Sequence, residues 1–257
     1  MATKVQARQS GIGRSLDVYY RDDARTQRMD QLHAQLVGQG ALVFDIGAHV
    51  GDRTASFLRL GAQVVALEPQ PRVFRALRLI HGRNPRATLH CAAAGAAPAQ
   101  ITLYLNSENP TVSTASADFI AASKGAQGWQ GQVWDREIRV PVTTLDRLIA
   151  DHGTPDFVKI DVEGHEAAVL AGLRRALPLL SFEFTTIQRS VAYACIDRLG
   201  RLGRYQFNLS LGEDHVFEHA EWITADAMRA QIEALPEAAN AGDVYARLAD
   251  MPHPERG

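Results

Sequence analysis

One short segment constrains this chain more than any other: Leu42-Val43-Phe44-Asp45-Ile46-Gly47-Ala48-His49-Val50-Gly51-Asp52. An apolar run ends in a carboxylate, and two glycines follow, four positions apart. A charged group closing a buried strand costs free energy unless a partner satisfies it. Phosphate is disfavoured as that partner, because Asp45 would repel it. Gly47 and Gly51 let the turn bend sharply and bring backbone close to a ligand. The helix beginning near Asp52 would offer unpaired N–H groups to the ligand's anionic end.

The rest of the chain alternates strand and helix signals. A helical stripe of Met29, Leu32 and Leu36 falls within residues 22–37, and Gly38 and Gly40 end it. Strands are predicted at Leu42–Ile46, Gln63–Leu67, Ala87–Ala92, Asp156–Ile160 and Leu179–Phe184. Helices are predicted at 52–60, 71–80, 145–150, 164–173 and 191–199. Weaker strand signals fall at Ile101–Leu105, Ile138–Val142, Tyr205–Ser210, His215–Glu218 and Asp243–Leu248. Apolar strands separated by helices imply an α/β fold with a mostly parallel sheet covered on both faces. Residues 1–20 read as a flexible N-terminal segment and 21–257 as a single domain, with its core at 41–218 and a C-terminal extension at 219–257. Residues 106–136, rich in Ser, Gly and Gln, interrupt the rhythm. They are either a lid over a site or a surface excursion pinned by Trp129 and Trp134.

Composition excludes several classes. A formal net charge of −2, with mixed signs along the chain, gives no footprint for nucleic acid or an anionic membrane. No apolar stretch approaches a membrane span and the start lacks the apolar core of a signal peptide, so a cytoplasmic location is expected. Cys91 and Cys195 lack metal spacing and are expected to be reduced. His215 and His219, four apart, are expected at the surface.

In an open parallel sheet, ligands bind beyond the carboxyl ends of the strands. Asp45, Glu68, Asp161, Glu163 and Glu183 all fall at or just past such ends. Glu68 follows Asp45 by 23 positions, the placement of an acid that accepts both ribose hydroxyls of a nucleoside. A cationic nucleoside fits the pair, and S-adenosylmethionine, with an ammonium and a sulfonium, is one. A nicotinamide site would start with Gly-x-Gly-x-x-Gly at the strand end, and it does not occur here. A plain tight turn, with Asp45 capping the next helix, is the structural alternative.

With these residues in view, the chain resembles the FkbM family of class I S-adenosylmethionine-dependent methyltransferases. The resemblance rests on Val43–Gly51, Val65-Ala66-Leu67-Glu68-Pro69, Val142-Thr143-Thr144-Leu145-Asp146 and Val158–Glu166, in that order, spanning about residues 40–185. It implies a Rossmann-like sheet of seven strands in the order 3-2-1-4-5-7-6, with the last strand antiparallel. It also implies O-methylation of a small metabolite, sugar or other glycan. The implied cofactor contacts are Asp45, Gly47, Ala48, His49, Gly51, Glu68, Pro69, Ala92, Ala93 and Asp161. His49 stands where the family more often has asparagine; it either bonds the methionine end of the cofactor or is a half-exposed turn residue. No nucleic-acid or membrane partner is expected, and a homodimer is compatible with this reading.

A methyl group on sulfonium is already electrophilic, so alignment supplies much of the rate. A hydroxyl acceptor must also lose a proton. His165 and Glu163 after strand four, and Glu183 near the end of strand five, are the candidate bases. Each has a structural alternative: a helix-dipole role for Glu163, solvation for His165, buried hydrogen bonding for Glu183. Asp161 and Glu163 would need a third oxygen ligand to hold magnesium, and the spacing demands none, so no metal is expected. The competing readings are an NAD(P)-dependent oxidoreductase and a nucleotide-binding protein without catalysis. Tyr19 and Tyr20 either line the acceptor pocket or pack.

Overall fold

The computed structural model describes residues 11–249. Helices Gly11–Tyr20 (α1) and Asp23–His33 (α2) lead into the strand Leu42–Ile46 (β1). There follow α3 (Asp52–Arg59), β2 (Gln63–Leu67), α4 (Pro71–His81) and β3 (Ala87–His90). Next come β4 (Ala93–Ala94), β5 (Ala99–Leu105), α5 (Ala117–Ser123) and β6 (Arg136–Thr143). The chain continues through α6 (Leu145–His152), β7 (Phe157–Ile160), α7 (Glu166–Ala171), β8 (Leu179–Thr185) and α8 (Arg189–Leu202). It closes with β9 (Tyr205–Leu211), α9 (Ala225–Ala234) and β10 (Ala241–Leu248).

The main sheet runs β3-β2-β1-β7-β8-β10-β9. β10 is antiparallel to both β8 and β9, while the other pairings are parallel. This is the expected 3-2-1-4-5-7-6 order. β1 and β7 are short runs of buried residues, because helices cover both faces of the sheet. Alternate side chains serve opposite layers. Val43, Val64 and Ala66 pack with Leu32, Phe57 and Leu77 on one face. Phe44, Val65 and Val158 pack with Leu145, Leu170 and Leu199 on the other. Asp45 lies on the Val43 face, toward α3.

Several expectations need correction. Gly11–Tyr20 is helical, so the segment expected to be flexible as far as residue 20 is ordered from Gly11 on; residues 1–10 lie outside the described residues. The predicted strand Ala87–Ala92 ends early, at His90. Just past it, Ala93–Ala94 pairs with β6 in a second sheet, β4-β6-β5. Residues 215–218 form no strand, and the helix expected from Gly164 starts at Glu166. The proposed C-terminal extension contains β10, which sits between β8 and β9; residues 250–257 of it lie outside the described residues. His215 is 5% exposed, with Nε2 3.1 Å from Glu213 Oε2. His219 is half-buried and bonds Gln231 at 2.6 Å. Neither is the surface residue expected.

The 106–136 stretch is a pinned excursion. Trp129 Nε1 donates to Asn240 Oδ1 at 2.9 Å, and Trp134 Nε1 to the Val112 carbonyl at 2.9 Å. Both indoles stand edge-on to Phe119. Two donors and an aromatic cluster thus anchor a segment whose polar composition reads as loop. No helix among the described residues is long and apolar enough to cross a membrane.

Candidate active site

Register sets the site. Ile46 pairs with both Leu67 and Ile160, so β2, β1 and β7 finish level. The residues just beyond them form one rim around a cavity of about 270 Å³. Asp45, Gly47, Ala48, His49, Glu68, Pro69, Ala92, Ala93, Asp161, Glu163, His165 and Glu183 all line it. Gly51 does not.

The turn after β1 is shaped by steric need. Gly47 has φ +89°, and a Cβ there would lie 1.8 Å from the Asp161 carbonyl oxygen. The turn therefore presses against the end of β7, and its N–H groups at Gly47 and Ala48 donate to the Leu67 carbonyl. Gly51 serves packing instead: a Cβ would meet Leu77 at 2.5 Å and the His81 ring at 2.7 Å. It lets α3 begin against α4.

Glu68, 3% exposed, accepts the His49 N–H at 3.0 Å with one oxygen and the Gln70 N–H at 2.7 Å with the other. Burial pushes its carboxyl up to about 7, against the pull of those two bonds. Asp45, 2% exposed, accepts the Thr54 hydroxyl at 2.5 Å. Burial raises it to about 6, and the Thr54 bond opposes that rise. His49 holds φ +49°, and both ring nitrogens are buried with no protein partner. Burial lowers its imidazole to about 4, so it is neutral near pH 7. Orphaned buried nitrogens on a cavity wall call for a ligand.

Sequence reasoning missed several wall residues. Lys159, in register with Asp45, lies buried in β7 and donates to Asp243 Oδ1 at 2.6 Å and Asp161 Oδ2 at 3.2 Å. Burial opposes its charge, but Asp161 and Asp243 outweigh it and hold the ammonium well above its usual range. A lysine inside the apolar run Phe157-Val158-Lys159-Ile160 was the available signal. Arg25 and Arg53 share the buried Asp52 and the exposed Glu213 in one ion network. The Tyr19 ring lies 5.0 Å from the Arg25 guanidinium and edge-on to His49. Tyr19 thus lines the cavity, whereas the Tyr20 hydroxyl donates to the Val50 carbonyl and only packs. Thr111, Ser113 and Ala115 bring the 106–136 excursion to the wall.

Opposite Glu68, the β7–α7 turn carries a second acidic group. Glu166 Oε1 accepts the Val162 and Gly164 N–H groups at 3.0 and 3.3 Å. Between them Glu163 takes φ +55° and is 7% exposed. Carboxylate oxygens of Asp161, Glu163 and Glu183 lie within 4.8 Å of one another. Burial, then the nearby Asp161 charge, pushes Glu163 and Glu183 well above the usual carboxylate range. His165, at the N-cap of α7, is lowered by burial.

A Rossmann-like sheet with paired acids at the ends of its first two strands defines a class I methyltransferase architecture. The methyltransferase FkbM domain matches residues 45–235. The chain belongs to the FkbM methyltransferase family and is an S-adenosylmethionine-dependent methyltransferase. Solved structures similar to it include a precorrin-6Y C5,15-methyltransferase from Geobacter metallireducens (13% identity, 86% of each chain, TM-score 0.47). A TehB-like SAM-dependent methyltransferase from Corynebacterium glutamicum shares 11% identity over 91% of this chain and 93% of that one, with TM-score 0.46. An O-methyltransferase from Bacillus cereus in complex with SAH shares 13% over 95% and 93%, with TM-score 0.42. No curated protein matches the sequence.

Proposed function

We propose that this enzyme methylates a hydroxyl oxygen on a small metabolite or glycan. One observation carries the reading: a single small cavity joins the cofactor-type acids Asp45 and Glu68 to a second wall bearing His165, Glu163 and Glu183. S-adenosylmethionine supplies an electrophilic methyl group when bound. Glu68 takes the ribose hydroxyls, with one lone pair on each oxygen left beyond its bonds to His49 and Gln70. Asp45 faces the ammonium end, and the His49 ring nitrogens serve the same end of the cofactor. Gly47, Ala48 and Pro69 border it, Ala92 and Ala93 leave room for a flat base, and Asp161 lies nearby.

His165 is the proposed base for the acceptor hydroxyl, because it lines the cavity and its ring nitrogens hydrogen-bond to no protein group among the described residues. Proton removal by a positioned base contributes roughly 10²–10⁴-fold. The chain's formal net charge of −2 offers no basic footprint for a polyanion and favours a small acceptor over nucleic acid. The test is transfer of labelled methyl from S-adenosylmethionine to a panel of sugars, hydroxylated metabolites and RNA. Label on oxygen of a small acceptor, with His165→Ala slowing turnover at least a hundredfold while S-adenosylhomocysteine binding stays within twofold, is expected. Label on RNA alone, or an unaffected His165→Ala, would overturn the assignment.

A further inference from the structure

We propose that Asn240 is a specificity-determining residue of the cavity, whose side-chain NH₂ donates to a hydroxyl of the acceptor other than the one methylated. The sheet sets its position. β10 runs antiparallel to β8, so its start lies at the rim where β8 ends: Ala241 pairs with Thr185 and Asp243 with Glu183. Asn240 immediately precedes β10 and lines the cavity. In the order β1-β7-β8-β10 it stands three strands from β1, on the order of 14 Å at about 4.8 Å per strand. Asp45 and Glu68 hold the rim at β1 and β2, so Asn240 borders the cavity on the side away from the cofactor acids.

The backbone there is strained. Asn240 has φ +61° and ψ −75°, a rare γ-turn geometry that persists only where its surroundings impose it. Its N–H donates to the Glu237 carbonyl at 3.0 Å, and its carbonyl accepts the Thr186 N–H at 2.7 Å. Trp129 Nε1 donates to the side-chain oxygen at 2.9 Å. An indole N–H only donates, so the atom facing it is Oδ1 and not Nδ2. The amide cannot flip without losing that bond. Nδ2 keeps two N–H donors with no protein partner among the described residues. Asn240 is exposed where it meets the cavity, so those donors are open to a ligand. Holding Trp129 needs only the oxygen, which an aspartate would supply equally.

Donors on a neutral amide select an oxygen. Asp243, three residues on, also lines the cavity; its Oδ1 accepts from the Lys159 ammonium at 2.6 Å, and its Oδ2 makes no hydrogen bond among the described residues. A donor and an acceptor on one stretch of wall suit a hydroxyl, which takes one bond and gives the other. The ligand class is a neutral polyol, such as a sugar with a hydroxyl to spare beyond the methylated one. That this polyol is the methyl acceptor rests on the O-methylation reading; its binding at Asn240 does not.

The test titrates the full-length protein, saturated with S-adenosylhomocysteine, with glucose, galactose, rhamnose and inositol. The Asn240 side-chain amide is followed by nuclear magnetic resonance, as the pair of signals absent from Asn240→Asp. At least one of the four compounds is expected to shift it saturably. Asn240→Asp keeps an oxygen for the Trp129 N–H and removes both donors, and its charge does not repel a neutral sugar. Sugar affinity should fall at least tenfold in this variant, and at least threefold in Trp129→Phe, which frees the amide to turn. S-adenosylhomocysteine affinity should stay within twofold in both, which also shows that they fold. In methyl transfer, Asn240→Asp should raise KM for the sugar at least tenfold and leave kcat within threefold. An amide that no compound shifts, or wild-type sugar affinity in Asn240→Asp, would overturn the subsite. Transfer to the oxygen of an acceptor whose KM is unchanged in Asn240→Asp would overturn the subsite and keep the O-methylation reading. A sugar bound at Asn240 but never methylated on oxygen would do the reverse.

Discussion

Glu68 accepts the backbone N–H of His49 at 3.0 Å, so the acid ending β2 fixes the turn that follows β1. The same carboxylate holds Gln70 N–H at 2.7 Å, and one side chain therefore organises both loops on the cofactor side of the cavity. Hydrogen bonds to a charged acceptor contribute about 1.5–3 kcal/mol. Glu68→Gln removes the charge and must turn an NH₂ toward one of two backbone donors. S-adenosylhomocysteine affinity should fall at least tenfold by calorimetry; unchanged affinity would contradict the ribose assignment.

The raised carboxyl of Glu68 gives binding a pH dependence. The carboxylate form accepts both hydroxyls, and the group titrates at about 7 in the free protein. Affinity should fall as pH drops from 8 to 5, approaching tenfold per unit at the acid end, and Glu68→Gln should flatten the slope. The stability sign is opposite. A folded-state value raised from 4.5 favours the protonated form, so this group's stabilising contribution is full below 4.5 and lost as pH rises through 7, on the order of 3 kcal/mol. Thermal melts of the free protein between pH 4.5 and 8 should show wild type losing more than Glu68→Gln.

Glycines with the same φ sign should differ sharply in tolerance. Gly47→Ala puts a Cβ 1.8 Å from the Asp161 carbonyl oxygen, whereas Gly40, at φ +81°, has nothing within 4 Å. Gly40→Ala should cost about 1–2 kcal/mol from backbone conformation alone. Gly47→Ala should cost at least twice that in urea denaturation, because backbone must move. Equal costs would mean that the turn yields without effort.

Lys159 is the counter-charge for two acids at once. Lys159→Met leaves Asp243 and Asp161 without their ammonium, and breaking a buried pair in this way costs about 3–5 kcal/mol. The double variant Lys159→Met with Asp243→Asn should recover a substantial part of that loss. Denaturation midpoints of the four proteins in the cycle decide it.

Trp129 joins the excursion to the loop before β10. Trp129→Phe keeps the ring against Phe119 and loses the bond to Asn240, a cost of about 1 kcal/mol. Trp129→Ala also empties the aromatic cluster, for about 3–5 kcal/mol. Hydrogen exchange in residues 106–136 should accelerate in both, and more in the alanine variant.

The amino-acid pattern by itself determined the alternating strands and helices, the acids at the ends of β1 and β2, and the family. These are local signals: an apolar run, a terminal carboxylate and a glycine with positive φ all lie within a few residues. Tertiary structure alone decided which glycine faces the cavity, and that Glu183 meets Asp161 and Glu163. Those relations depend on register between strands far apart in the chain, and on which side of a turn is crowded. Periodicity carries no record of either. Lys159 stands between the two cases: its place in an apolar run was visible, but its partner Asp243 lies 84 positions away, and only the folded sheet brings them together.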